Sequence, residues 1–207
     1  PTTHVVVALH KPRGVVSTLR DPEGRPGIKS LLPRGGMRLY PVGRLDLQST
    51  GLLLLTNDGA LAEALLHPRT AVERVYAVKV HGAVTAETRA RLRRGIRLDD
   101  GRAAAEVRIT EALPTKTWLE VIVREGRWRL VRRLFAAVGH PVDKLARLRL
   151  GPIALGRLRL GAWRSLDAAE MASLRQAAGL SAAAAVAPVR PAPRSRPRTR
   201  TPRARPP

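Results

Sequence analysis

Asp46 is an acid set among cations. In GRLDLQSTGLLLLTNDG, residues 43–59, it comes shortly after Arg38 and Arg44. A carboxylate can attack an electrophilic carbon or stabilise positive charge developing beside it. The competing reading is a turn aspartate that bonds its own backbone. Three features favour the reacting group. The arginines surround the acid with positive charge. Gly43 and Gly51 bracket it and suit close backbone approach by something bulky. The apolar run LLLLT, residues 52–56, gives the loop a rigid base.

Two further residues could complete such a site. Arg132 lies in EGRWRLVRR, residues 125–133, beside Val131 and the apolar stripe of a helix. Its neighbours alone allow it to be one more solvated arginine on a basic, RNA-facing surface. Tyr76 is one of two tyrosines. It is either a core aromatic of a strand or a ring on which a nucleobase stacks.

The rest of the composition narrows the substrate. Lys and Arg number 38 against 16 Asp and Glu, a net charge of +22 over 207 residues. Such a chain seeks phosphate polyanions. No apolar run approaches the ~20 residues of a spanning helix, so a membrane partner is not expected. Cysteine is absent, which removes thiolate metal sites and fits a reducing cytoplasm. The five histidines lack close ligand spacing, and no metal is expected. Neither G-x-x-x-x-G-K-[ST] nor G-x-G-x-x-G occurs, which argues against nucleotide hydrolysis and dinucleotide binding. A nuclease would need clustered acids for metal or a histidine pair, and neither cluster is visible.

The elements that must position these residues alternate in type. Residues 4–9 read as a strand, interrupted by KPRG at 11–14 and resumed at 15–18. LLLLT reads as a strand buried on both faces. Residues 74–80, 117–123 and 144–151 read as further strands, the last apolar on one side and basic on the other. Helices are predicted over 60–66, from a Thr85 cap through Arg94 to a stop at Gly95, over 127–138, and after an Asp167–Glu170 capping box through Ala178. The pattern predicts an α+β domain with a mainly antiparallel mixed sheet and flanking helices, residues 1–180. Residues 181–207 are rich in Ala, Pro and Arg and read as a disordered basic tail. Removing the seven arginines of 188–207 still leaves +15 on the remainder.

The ordered set HKPRGVVST, YPVGRLDLQSTGLLLLTNDG, LLHPRTAVERVYAVKV, EGRWRLVRRLFAAVGHPV and LARLRLGPIAL resembles the bacterial ribosomal pseudouridine synthases of the RsuA/RluB family, over roughly residues 4–178. The large-subunit branch is the more similar. The resemblance implies the pseudouridine synthase fold and isomerisation of a uridine in ribosomal RNA, 23S being favoured, after base flipping and with an Asp nucleophile. Asp46 falls at the catalytic aspartate, Tyr76 at the tyrosine that packs on the target base, and Arg132 at the basic partner of the carboxylate. Arg44 matches an arginine that aids flipping, and Val131 an apolar contact. Lys11, Arg127, Arg129 and Arg133 are expected with them on the substrate side. Lys11 also lies with Pro12 in a first motif of structural role. No cofactor is implied. A cytoplasmic monomer acting on ribosomal RNA is expected, without the small S4-type module that precedes the first strand in many relatives. Trp128 and Leu130 depart from the family pattern EGRNRQVRR. The rival that charge alone permits is a non-catalytic RNA-binding or ribosome-assembly protein, which gains nothing from a carboxylate in its groove.

Overall fold

In chain order the elements of the computed structural model, which describes residues 4–32 and 38–181, are β1 (Val6–Lys11), β2 (Tyr40–Pro41), β3 (Thr50–Thr56), α1 (Gly59–Leu66), β4 (Arg74–His81), α2 (Ala86–Arg94), β5 (Ile96–Leu98), β6 (Gly101–Ala103), β7 (Glu106–Ala112), β8 (Lys116–Val123), α3 (Leu130–Ala137), β9 (Val142–Leu150), β10 (Ile153–Ala154), β11 (Trp163–Ser165) and α4 (Ala168–Ala177). The main sheet runs β11-β1-β3-β9-β4-β8-β7, with β2 added to β3 and β10 to β9. Every pairing is antiparallel except that of β3 with β9. The α+β expectation therefore holds.

Strand alternation divides the core between the two faces of this sheet. Val7, Leu9, Leu53 and Leu55 enter one apolar cluster with Leu92 of α2 and with Leu134 and Phe135 of α3. Val6, Ala8, Leu52 and Leu54 enter another with Leu61 of α1 and Leu174 of α4. The unbroken apolar run of β3 is thus covered on both sides. Each of its fully buried leucines contributes about 2 kcal/mol by leaving water.

The helix ends follow their sequence signals. Asp58 accepts from Leu61 N, Thr85 accepts from Thr88 N, and Asp167 with Glu170 forms the full capping box. Each such cap contributes roughly 1 kcal/mol. Gly95 ends α2 at φ 97°, a left-handed conformation that glycine adopts without a Cβ clash.

Some expectations are corrected. Residues 15–18 do not resume a strand; Val16 makes a single bridge to Gly27. Lys11 does not interrupt β1 but ends it, paired with Gly51. The helix predicted from Arg127 starts at Leu130, because the chain first turns through a left-handed Arg129. The β5–β6 hairpin and β7 were not predicted, although Val107 and Ile109 of β7 alternate with polar residues; these strands are short or largely exposed. The tail expected to be disordered lies outside the described residues beyond Ser181. Among the described residues no helix is long and apolar enough to cross a membrane.

Candidate active site

The loop from β2 to β3 is pinned from below before it presents Asp46. Leu45 is buried, and its backbone is gripped by Ser17. Leu45 N donates to Ser17 Oγ at 3.0 Å, and Ser17 Oγ donates to Leu45 O at 2.7 Å. Gly14 N donates to Leu47 O at 2.9 Å, and Ser49 N closes a turn on Asp46 O at 3.0 Å. The backbone of Asp46 therefore does make a turn, as the bland reading required. Its side chain does something else. Asp46 Oδ2 lies 3.2 Å from Arg132 Nε and 3.2 Å from Arg129 Nη1.

Arg132 reaches this carboxylate from the first turn of α3. Its Nη1 donates to Val142 O at 3.3 Å and its Nη2 to Ser49 Oγ at 3.4 Å. One guanidinium thus joins α3, the start of β9 and the Asp46 loop. The Arg132 side chain keeps only 14% of its surface exposed, and Asp46 keeps 23%. That is partial desolvation, where an ion pair is stronger than on an open surface.

Lys11 closes the site from behind. It is fully buried, and its Nζ donates to Pro12 O and Ser49 O, each at 2.9 Å. Burial pushes its pKa down to about 8, while the nearby Asp46 charge opposes the shift. Lys11 was expected among the cations on the substrate side. Buried at the end of β1, it cannot touch RNA, and it supports the Asp46 loop instead.

A cavity of about 430 Å³ opens in front of the carboxylate, with Arg44, Asp46, Tyr76, Arg129 and Val131 among its walls. Tyr76, on β4, is 9% exposed and Val131 4% exposed, while Arg44 is exposed at the loop. The structure thus brings together Asp46, Arg132, Tyr76, Arg44, Arg129 and Val131, from three separate stretches of sequence.

Arg127 and Arg133 take a different course. Arg133 pairs with Asp99 and Asp100 at the tip of the β5–β6 hairpin. Arg127 pairs with Glu125 at 2.7 Å and Asp100 at 2.8 Å, and donates to Arg102 O at 2.9 Å. Hydrogen bonds to these acids raise the pKa of both arginines further above the ordinary arginine value. Expected as RNA contacts, they instead have guanidinium groups committed to the protein's own acids, although Arg127 still borders the cavity.

Two cavity residues escaped the sequence reading. Arg74 is 4% and Arg147 3% exposed. Arg74 donates to Val72 O and Leu65 O; burial depresses its pKa, and the like charge of Arg147 depresses it further. Arg147 Nε donates to Leu52 O at 2.7 Å, while its Nη2 is buried without a partner among the described residues. The alternation of β9 had put its basic residues on one outward side. A bulge parts them: Val75 faces Arg149 but Tyr76 faces Arg147, so Leu148 is skipped, and Arg147 stays on the buried face of Leu145 while Arg149 pairs with Glu73. The glycine argument is corrected as well. What approaches Gly51 closely is not substrate but β9, since a Cβ there would lie 2.2 Å from Arg147 O.

Comparison with known proteins bears on what this arrangement does. Residues 5–137 match the family described as RNA pseudouridylate synthase. An uncharacterised RNA pseudouridine synthase of Mycobacterium tuberculosis is 46% identical over 180 residues, 85% of this chain and 71% of that protein. Ribosomal large subunit pseudouridine synthase B of Haemophilus influenzae is 43% identical over 180 residues, and the match covers 86% of this chain but only 50% of the relative. A crystal structure of a pseudouridylate synthase superposes with a TM-score of 0.76 at 30% identity, covering 83% of this chain and 74% of the other.

Proposed function

Because this chain belongs to the RNA pseudouridylate synthase family, we propose that it isomerises a uridine of ribosomal RNA to pseudouridine, with the Asp46 carboxylate as the reacting group. The observation that carries this reading is the Asp46 carboxylate, held by Arg129 and Arg132 at the wall of a cavity that also contains Tyr76. A protein that only bound RNA would lose affinity by setting an acid there. The large ribosomal subunit is the proposed source of the RNA, by analogy with the relative named for it.

The target base must leave its stack to enter the cavity, at a cost of a few kcal/mol. The net charge of +22 offsets part of that cost through contacts to phosphate. Arg44, exposed beside the cavity, is suited to fill the vacated space. Within the cavity the N1–C1′ bond breaks, the uracil turns, and C5 bonds to C1′. The C5 hydrogen leaves as a proton and N1 acquires one, so the change is an isomerisation without net redox. Asp46 either attacks a carbon or stabilises the positive charge at C1′ as the bond opens. Tyr76 provides a face against which the freed uracil is held while it turns. Arg132 and Arg129 fix the carboxylate and balance its charge. One chain supplies every one of these groups, which supports a monomer as the working unit, in the cytoplasm where ribosomal RNA is found.

Asp46→Asn tests this directly. With ribosomal RNA tritiated at uridine C5, release of tritium should fall by at least about 10³-fold, while RNA binding by filter retention stays within about twofold. Near-normal turnover by the variant would overturn the assignment.

A further inference from the structure

The three tryptophans are treated very differently. Trp118 and Trp163 are half-buried, whereas Trp128 has 66% of its surface exposed. Leaving an indole in water forfeits the burial energy of one of the largest apolar side chains. The loop that presents it is nevertheless well fixed. Leu130 N donates to Arg127 O, and Arg133 Nη1 donates to Trp128 O at 3.2 Å. Arg133 is itself anchored by Asp99 and Asp100. Arg129, the next residue, adopts φ 47°, a left-handed conformation that costs a non-glycine residue free energy. That geometry lets one guanidinium do two things: it lies over the Trp128 ring at 5.6 Å from the centroid, and it holds Asp46 Oδ2 at 3.2 Å.

We propose that Trp128, backed by Arg129, is a stacking platform for an unpaired base flanking the target uridine. The inference rests on the proposed action on RNA. Its chemistry is that of single-strand recognition, in which bases stack on aromatic rings and arginine planes wherever phosphates are held by surrounding cations. The position is suited to a neighbouring nucleotide. Arg127 and Arg129, on either side of Trp128, both border the cavity that holds Asp46, so a strand delivering its uridine there passes the indole. The Arg129 guanidinium couples the two events, because a base settled on Trp128 also fixes the cation that pairs with Asp46. Trp128 is therefore a binding and positioning residue rather than a catalytic one.

The test uses the intact protein with two labelled probes of equal length and charge: a single-stranded oligouridylate, and the same ribose–phosphate backbone without bases. Wild type should prefer the oligouridylate, and Trp128→Ala should lose about tenfold of that preference, as expected for one stacked base. Trp128→Phe should retain most of it. The dependence of binding on salt should be the same for wild type and both variants, since no phosphate contact is removed. In turnover of ribosomal RNA, Trp128→Ala should raise KM more than it lowers kcat, since the Arg129–Asp46 pair is left in place. An exposed site tolerates these substitutions, and unchanged melting temperatures would verify it. If Trp128→Ala keeps the full preference for bases, the platform is refuted. If it instead lowers binding of both probes equally with a shallower salt slope, Trp128 acts through Arg129 and phosphate, and the platform is again refuted. Should wild type release no tritium from any ribosomal RNA, the proposed function fails, and the base preference still reports on Trp128 separately.

Discussion

The arginines of a single motif, GRWRLVRR, separate into two charge clusters of opposite character. Arg129 and Arg132 converge on one carboxylate, Asp46, at the edge of a cavity that also contains Arg74 and Arg147. Arg127 and Arg133 converge on three acids, Asp99, Asp100 and Glu125. The second cluster is satisfied from within and serves to hold the β5–β6 hairpin against α3. The first has more cations than acids and faces open space, so it is complete only when an anion arrives. Composition does not distinguish these fates, and neither does distance along the chain. What separates them is the direction in which each arginine projects from α3 or from the turn that leads into it, and whether acids are supplied opposite to it.

That contrast can be broken most sharply by removing one arginine from each side. Arg132→Ala should lower kcat by about 10²-fold, the usual consequence of deleting one group that holds charge in place at a reacting centre, with a small change in RNA affinity. Arg133→Ala should lower kcat by less than about threefold and instead reduce the melting temperature by several degrees. Tritium release and thermal unfolding of the two variants decide the matter. Equal losses of kcat would mean that both clusters serve the chemistry.

Lys11 gives the next largest effect, and it belongs to the open cluster from behind. Its pKa falls from 10.5 in the unfolded chain to about 8 in the fold, because burial disfavours the charged amine more than Asp46 favours it. Between those pH values the unfolded state holds the proton and the folded state does not. Stability must therefore rise with pH across that window, by up to about 3 kcal/mol from this group. Urea unfolding from pH 7 to pH 10 should show wild type gaining stability relative to Lys11→Met as pH rises through this range. A difference that stays flat would mean that Lys11 titrates normally.

The smallest effect is expected from the closed cluster. Asp100→Asn removes one acid from both Arg127 and Arg133 and leaves their charge for RNA. Binding of ribosomal RNA should tighten slightly at low salt, with a salt slope steeper by less than about 1. An unchanged slope would mean that these arginines stay out of reach of phosphate even when released.

Much of the first cluster could be read before any coordinates. Asp46 and Arg132 stand 86 positions apart and still meet, a pairing that only the family resemblance implied; residue spacing alone left Arg132 as an ordinary basic residue. The strands around them were legible because β3 and β8 carry clear hydrophobic patterns and the helix caps carry unambiguous side chains. The closed cluster was not legible. Two of its acids, Asp99 and Asp100, sit at the turn of a hairpin with only three residues a side that was not predicted, so Arg127 and Arg133 looked as free as their neighbours. Arg74 and Arg147 were hidden for another reason. Arg147 and Arg149 read as one basic side of a strand, but a bulge between β4 and β9 separates them and leaves Arg147 on the buried face of Leu145. Gly51 was noticed for the right property and the wrong visitor, because sequence registers that a backbone needs room but not which backbone takes it.

The meeting of β3 with β9 has a consequence for the order of assembly. These strands touch through only two register pairs, Thr50 with Ala146 and Gly51 with Arg147. This seam joins segments nearly a hundred residues apart, as the β1–β11 and β4–β9 pairings also join distant strands, and such closures form late. Arg132 takes one of its three anchors from Val142, at the start of β9. A chain lacking β9 therefore leaves Arg132 without one of its anchors and Gly51 without the strand that packs on it. The setting of Asp46 is thus completed across the sheet, by a strand that lies nearly a hundred residues further along the chain.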